Sequence, residues 1–303
     1  MLKAFYSIIV PAAKSNRLQK IYNKMVEKLA ALIYRVKCDL YNPIARQNQT
    51  ICNDVIVSLT TFPKRIDTTY YCICSLVNQT VKPEKIILWL ASSEFPDMEE
   101  SLPKRILRLR ENGLIIKFCD NIRSYKKIYY TAKEYSNKSI ITADDDVLYP
   151  ENWLESLIVA HSDNPNDIIC HRAHKITMND KELFPYKDWI SLSPDETGPS
   201  ISLIAIGVGG ILYPAGFFEE LPFDEKDFMK LAPFSDDIFL KAYEVKKRVK
   251  VKKVKANNKE MFMILGSQKE RLSIVNVENN DANDVAMKKS MDFFSLTMAD
   301  FKE

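Results

Sequence analysis

Apolar residues recur along this chain with two different periods, and the switches between them mark out its elements. Over residues 15–37, Leu18, Tyr22, Met25, Leu29, Leu32 and Ile33 recur at near-helical spacing with lysines between them, which predicts an amphipathic helix. Tyr41 to Asn53, with Asn42-Pro43 and several polar residues, reads as a linker, and a domain boundary is placed near residue 50. Beyond it, short apolar runs alternate with helical patterns. Val55 to Leu59, Lys85 to Leu90, Leu114 to Phe118 and Ser139 to Ala143 read as strands. Residues 67–79, 101–111 (stopped by Gly113) and Ser124 to Tyr135 read as the helices between them. A helix from Trp153 to Ala160 and a strand from Asp167 to Cys170 follow. Residues 175–200 have no clean period and read as an irregular flank of a site. Ile201 to Tyr213 is apolar around Gly207-Val208-Gly209-Gly210. Phe234-Ser235-Asp236-Asp237 opens a helix, and Val249 to Val254 alternates as a strand with one charged face.

Strands alternating with helices predict an α/β fold with a largely parallel sheet covered on both faces. Ligands of such sheets sit beyond the carboxyl ends of the strands. Two segments occupy that position: the loop Thr60 to Arg65, and the triplet Asp144-Asp145-Asp146 behind the buried run Ser139 to Ala143. Three crowded carboxylates repel one another and lose hydration, and a hard divalent cation is the common relief. In extended chain, residues two apart point the same way, so Asp144 and Asp146 can face one ion while Asp145 turns elsewhere. A cluster of helix-capping aspartates before Pro150-Glu151 is the structural alternative.

The chain has 303 residues, 46% apolar and 27% charged, which fits a globular protein with a large core. Its net charge of +3 is unevenly spread. Residues 1–50 carry nine Lys or Arg, including Lys14 and Arg46, against Glu27 and Asp39. A second basic block runs from Lys246 to Lys259, while acids collect in the middle. This asymmetry suggests an anionic partner or surface for the flanks, or simply solvated faces. The six cysteines show no C-x-x-C or metal spacing, so reduced buried thiols are expected. No run approaches a membrane span, and Met1 to Ala13 is a poor signal peptide.

Five ordered segments carry a family resemblance. They are Ser58-Leu59-Thr60-Thr61-Phe62-Pro63-Lys64-Arg65-Ile66, Thr142 to Pro150 around the triplet, Cys170-His171-Arg172-Ala173-His174, Gly207 to Pro214, and Ser235-Asp236-Asp237-Ile238. Together they resemble a nucleotide-sugar glycosyltransferase of the GT-A fold, with words similar to those of bacterial polysaccharide-biosynthesis enzymes, over roughly residues 54–255. The resemblance implies a Rossmann-like, mostly parallel sheet with an N-terminal helical extension. Residues 1–50 would be that extension and linker, 51–260 the catalytic domain, and 261–303 a C-terminal segment flanking the site. It implies transfer of a sugar from a UDP- or GDP-sugar to a glycan acceptor, lipid-linked in one version, in capsule or lipopolysaccharide assembly. Inversion, a cytoplasmic location and contact with the inner membrane face are expected, with no nucleic-acid partner.

The same resemblance distributes roles. Asp146 would ligate Mn2+ or Mg2+, and Asp144 would meet the ribose, or the metal through water. With Asp145, these residues form the nucleotide site. Thr60, Thr61 and Arg65 would border the nucleotide, Asp120 would contact the base or cap the next helix, and Lys126 or Lys127 would reach the diphosphate or face solvent. Three of only seven glycines cluster at Gly207, Gly209 and Gly210, which signals a backbone need: a floor for donor sugar or acceptor, or a β-bulge. An Asp at a helix start is expected to stay ionised, so Asp237 would be the base and Asp236 would orient the acceptor, unless both merely cap. His171 and Trp189 would line the sugar side, although a solvent-facing or hydrogen-bonded structural role is the favoured reading for each of His171 and His174. Many members of the superfamily have a late histidine ligand; this chain has none after His174, so Asn or Asp among Asn279 to Asp284, or water, would substitute. A nucleotidyl or phosphoryl transferase is the alternative enzyme, though no Gly-rich phosphate loop is present. A non-catalytic sugar-binding protein on the same fold is the third reading.

Overall fold

A computed structural model describes residues 1–9, 16–41, 49–219, 221–254, 261–267 and 281–302. The linker over 42–48, the basic residues Lys14, Arg46, Lys255 and Lys259, and Asn279 and Asn280 lie outside the described residues. Helices α1 (Leu2–Ile8) and α2 (Arg17–Leu40) precede the sheet. Then come β1 (Thr50–Thr60), α3 (Ile66–Val77), β2 (Val81–Ala91), α4 (Lys104–Arg108), β3 (Leu114–Cys119), α5 (Lys126–Glu134) and β4 (Ser139–Ala143). The second half holds β5 (Val147–Leu148), α6 (Trp153–Asp163), β6 (Ile168–Cys170), β7 (Ala173–Lys175), β8 (Leu203–Ala205) and β9 (Ile211–Tyr213). It ends with α7 (Glu225–Leu231), α8 (Asp236–Lys246), β10 (Val251–Lys253), β11 (Phe262–Met263) and α9 (Ala282–Phe294).

Seven strands form one sheet in the order β10-β6-β9-β4-β1-β2-β3. Neighbours are parallel except β9, which runs antiparallel to both β4 and β6. The α/β expectation therefore holds, with one reversed strand near the centre. Along β1 the side chains alternate between faces: Val55, Val57 and Leu59 enter one core with α2, α3 and α6, while Ile56 packs with Ile87 and Trp89 on the other side. A further core beneath α5, α8 and α9 gathers Tyr125, Phe228, Phe239 and Tyr243.

Several expected boundaries move. The helix over 101–111 is a short α4 led by Pro103, then a 3-10 turn over Leu109–Asn112 that ends at Gly113 in the left-handed region, φ +94°. Strand β1 starts at Thr50, inside the expected linker, because Thr50 to Cys52 already pair with Val81 to Pro83 before the register shifts. The N-terminal helices are packed against the same core. Tyr6 stacks on Phe262 at 3.9 Å and donates to the Leu148 carbonyl, and the Met1 ammonium pairs with Glu151. Among the described residues all six cysteines are free thiols, and no helix is long and apolar enough to cross a membrane.

Candidate active site

The sheet brings the acidic triplet and the first loop out side by side. Leu59 pairs with Ala143, so Thr60 and Asp144 leave adjacent parallel strands at the same edge. Asp145 turns toward the first loop. Its Oδ2 accepts from Thr61 Oγ1 at 2.5 Å, and its Oδ1 meets Arg65 Nη1 at 2.7 Å. Burial raises the Asp145 pKa above the ordinary carboxylate value, against the pull of Arg65 and Thr61. The same Arg65 Nη1 lies 3.1 Å from Asp146 Oδ2, so one guanidinium holds two of the three carboxylates. Asp144 points the other way, to Lys127 Nζ at 2.7 Å.

Because β9 runs antiparallel, its N-terminal end sits where β4 ends. The glycine turn Gly207–Gly209 therefore arrives beside the triplet. Gly207 donates its N–H to Asp237 Oδ2 at 3.0 Å. Lys127 Nζ, paired with Asp144, is also 3.4 Å from Asp236 Oδ2. Burial lowers the Lys127 pKa, but the carboxylates of Asp144, Asp236 and Asp237 outweigh it, and the ammonium is held charged. Asp237 is half-buried. Even so, burial first, and repulsion from Asp236 second, push its carboxyl up to about 8. The expectation of a firmly ionised Asp at a helix start thus gives way to a carboxyl poised near neutrality, because crowding exceeds what the helix start returns. Ser235 precedes α8 but does not cap it with its side chain; its Oγ meets Asn283 Oδ1 at 2.6 Å.

Other residues singled out in the sequence make contacts of their own. Thr60 Oγ1 donates to the Trp89 carbonyl, and Asp120 is exposed after β3. Lys126 faces Glu94 at 3.5 Å and Asn121 at 3.3 Å. His171 is buried, 3.1 Å from both the Trp153 carbonyl and Ser156 Oγ, and burial pulls it down to about 4. His174 Nδ1 accepts from the Leu192 N–H. Trp189 is buried beside Tyr186 and donates to the Phe184 carbonyl. Gly209 backs onto Arg172, and Gly210 onto the Trp153 ring. Asp284 accepts from the Tyr186 N–H.

Two residues that sequence reasoning passed over hold the site together. Tyr149 Oη accepts the Asp144 N–H at 2.9 Å and lies 3.5 Å from the Val208 carbonyl. Trp153 Nε1 donates to the Gly209 carbonyl at 2.7 Å. Their signal was the placement of two aromatics four apart directly behind the triplet.

The donor set fits a hard cation. Asp144 and Asp146 carry carboxylate oxygens of the kind such an ion takes, but each already faces a cation, Lys127 and Arg65, and Asp236 Oδ2 has the Lys127 ammonium 3.4 Å away. Among the described residues no three His, Cys, Asp or Glu side chains gather into a cage.

Residues 59–210, half of the chain, match the model of the family described as Glycosyl transferase family 2. Among solved structures the chain is similar to the mannosyltransferase PcManGT from Pyrobaculum calidifontis in complex with GDP-Man and Mn2+, at 12% identity and TM-score 0.45, over 78% of this chain and 66% of that one. It is similar to the inositol-1-phosphate CTP transferase from T. maritima at 15% identity and TM-score 0.43, over 80% of this chain and 98% of that one. A third likeness is to CMP:2-keto-3-deoxy-manno-octonic acid synthetase complexed with CTP, at 10% identity and TM-score 0.38, over 68% and 89% of the two chains. No curated protein matches the chain.

Proposed function

The chain belongs to glycosyl transferase family 2, and from that premise we propose that it moves a sugar from a nucleoside diphosphate donor to a hydroxyl of a glycan acceptor, with inversion, in surface-polysaccharide assembly. The observation that carries this reading is the Lys127 ammonium set between Asp144 and Asp236. The acidic end of β4 and the acidic start of α8 thus share one cation, a proximity that suits a transferase's leaving group and base.

The residues divide the work. Asp144 and Asp146 would hold Mn2+ or Mg2+, which would supply Lewis-acid neutralisation of charge on the departing diphosphate. Arg65 fixes Asp145 and Asp146, and the loop Thr60 to Arg65 borders the nucleoside. Asp237 takes the acceptor proton on Oδ1, since Oδ2 is engaged by the Gly207 N–H. A base whose pKa lies near the working pH is both deprotonated often enough and strong enough to act. Asp236 orients the acceptor. The catalytic unit spans residues 51–260, with 1–50 as the helical extension and 261–303 flanking the site. The assignment to surface polysaccharide rests on the sequence words around the triplet and the glycine turn.

Thermal-shift measurements on the full chain with UDP, GDP and CTP, each with and without Mn2+, test the proposal. Metal-dependent stabilisation by UDP or GDP is expected, followed by transfer activity with the matching nucleotide sugars. Stabilisation by CTP alone would move the reading to nucleotidyl transfer, and no metal-dependent shift with any nucleotide would end it.

A further inference from the structure

Helix α2 runs for 24 residues along the outside of the molecule and buries one face. Val26, Ala30, Ala31, Tyr34 and Cys38 enter the core. The opposite face is apolar too. Leu18, Tyr22, Met25, Leu29, Leu32 and Val36 are each 45% to 76% exposed. Their spacing alternates four and three residues, which keeps them in one straight stripe about 27 Å long. Contiguous apolar surface of this kind marks an interaction site. Among the described residues nothing covers it.

Charge selects the occupant. Arg17, Lys24, Lys28 and Arg35 are all exposed and recur at intervals of seven and four, so they form a cationic ridge along one border of the stripe. Of the helix's acids, Glu27 Oε1 accepts the Met263 N–H at 3.0 Å, while Asp39 accepts from Tyr71 Oη at 2.9 Å and lies 3.8 Å from Arg35 at the end of the ridge, leaving Arg17, Lys24 and Lys28 as its main charges. A second copy of the helix packed on this stripe would meet Lys28 and Arg35 with the same cations when antiparallel, and with Val26 and Ile33 when parallel. Neither arrangement brings an acid to these cations from the facing helix, and Asp39, the exposed acid of α2, is already paired with Arg35 of its own helix. A bilayer rich in anionic headgroups answers both features, with acyl chains for the stripe and phosphate for the ridge. No described helix is long and apolar enough to span, so α2 lies on the surface rather than through it.

We propose that the outer face of α2 is a docking surface for an anionic lipid bilayer. The inference rests on α2 alone and stands apart from the transfer chemistry. Co-sedimentation of the full chain with vesicles of phosphatidylcholine, and with an equal mixture of phosphatidylcholine and phosphatidylglycerol, tests it. Binding to the mixed vesicles is expected, weakening as salt rises. The variant Lys24→Gln/Lys28→Gln/Arg35→Gln should lose roughly a hundredfold in affinity for them. Met25→Ser/Leu29→Ser/Leu32→Ser should bind neither vesicle, while its circular-dichroism melt stays that of the unaltered chain. Absent binding to the mixed vesicles, or binding that both variants leave unchanged, overturns the proposal. So does a concentration-dependent dimer that the serine variant dissolves without any vesicle binding, which would give the stripe to a second copy.

Discussion

The Gly207 backbone N–H donates to Asp237 Oδ2, and a Cβ placed on Gly207 would stand 3.2 Å from the other carboxylate oxygen, Oδ1. The same Cβ would lie 3.4 Å from Lys127 Nζ and 3.7 Å from Asp144 Oδ1. Gly207 is therefore the point at which Asp237, the bridging ammonium and the triplet converge, and a side chain there is short of space. Gly207→Ala should fold normally, because the position does not use the left-handed region. It should displace Asp237 by a few tenths of an ångström and lower kcat by roughly ten- to a hundredfold, with nucleotide affinity nearly unchanged. Steady-state kinetics beside nucleotide titration separate the two, and an unaltered kcat would remove Asp237 from the chemistry.

The raised pKa of Asp237 sets two pH dependences of opposite sense. As the proposed base, Asp237 must lose its proton, so kcat should climb with pH, pass its half-maximum near 8 and level off above it. Asp237→Asn should remove that limb along with roughly a hundred- to ten-thousandfold in rate, while leaving Mn2+ and nucleotide binding in place. Stability moves the other way. The folded carboxyl binds its proton more tightly than the ordinary value of 3.8 allows, so the folded state holds more protons between 3.8 and about 8. Stability of the ligand-free protein should fall as pH rises through that window. The Asn variant should show a flatter pH profile in chemical denaturation.

How far the sequence could be read depended on how each element buries itself. Strand β4 is buried along its whole length around Ile140, Ile141 and Ala143, and its acidic exit stands out against that run. Helix α9 was invisible for the opposite reason: two of its five buried positions, Asn283 and Ser290, are polar, so its inward face carries no apolar period. Strands β5 and β11 are two residues each and exist through mutual pairing, which no local pattern encodes. Within the site, residue type exposed the carboxylates but not their partners. Lys127 and Lys126 are indistinguishable as letters, yet the helix turn between them sends one to Asp144 and the other to Glu94. The glycine cluster was legible as a backbone need. Which glycine meets the carboxylates and which meets Trp153 follows only from the reversed direction of β9.

Gly210 serves packing, and its substitution should read out as stability. It sits at φ +85°, and a Cβ there would come within 2.4 Å of the Trp153 ring, whose Nε1 is already bonded to the Gly209 carbonyl. Gly210→Ala combines a left-handed penalty with overpacking, together about 2–5 kcal/mol. A lowered melting temperature is expected, with KM for donor and acceptor unchanged in whatever fraction remains folded. A selective rise in KM at unchanged stability would instead place a ligand against this glycine.

Lys127 offers the sharpest test of charge sharing in the cleft. Its ammonium is buried between Asp144 and Asp236, and its pKa stands above the ordinary 10.5, so its stabilisation is fully present below that value and is lost only as pH rises beyond it. Lys127→Met keeps the buried stem and the backbone carbonyl that accepts from Ser58 Oγ, but removes the charge. Two carboxylates then face each other without their cation, and the loss should be about 3–5 kcal/mol at neutral pH. A divalent ion can take up the same oxygens, so Mn2+ should raise the melting temperature of Lys127→Met by more than it raises that of the unaltered chain. Adding Asp144→Asn should recover part of the lost stability and weaken the response to Mn2+ together. Equal Mn2+ shifts in all three proteins would show that the ion and the lysine do not compete for Asp144, and the metal would have to be sought elsewhere in the chain.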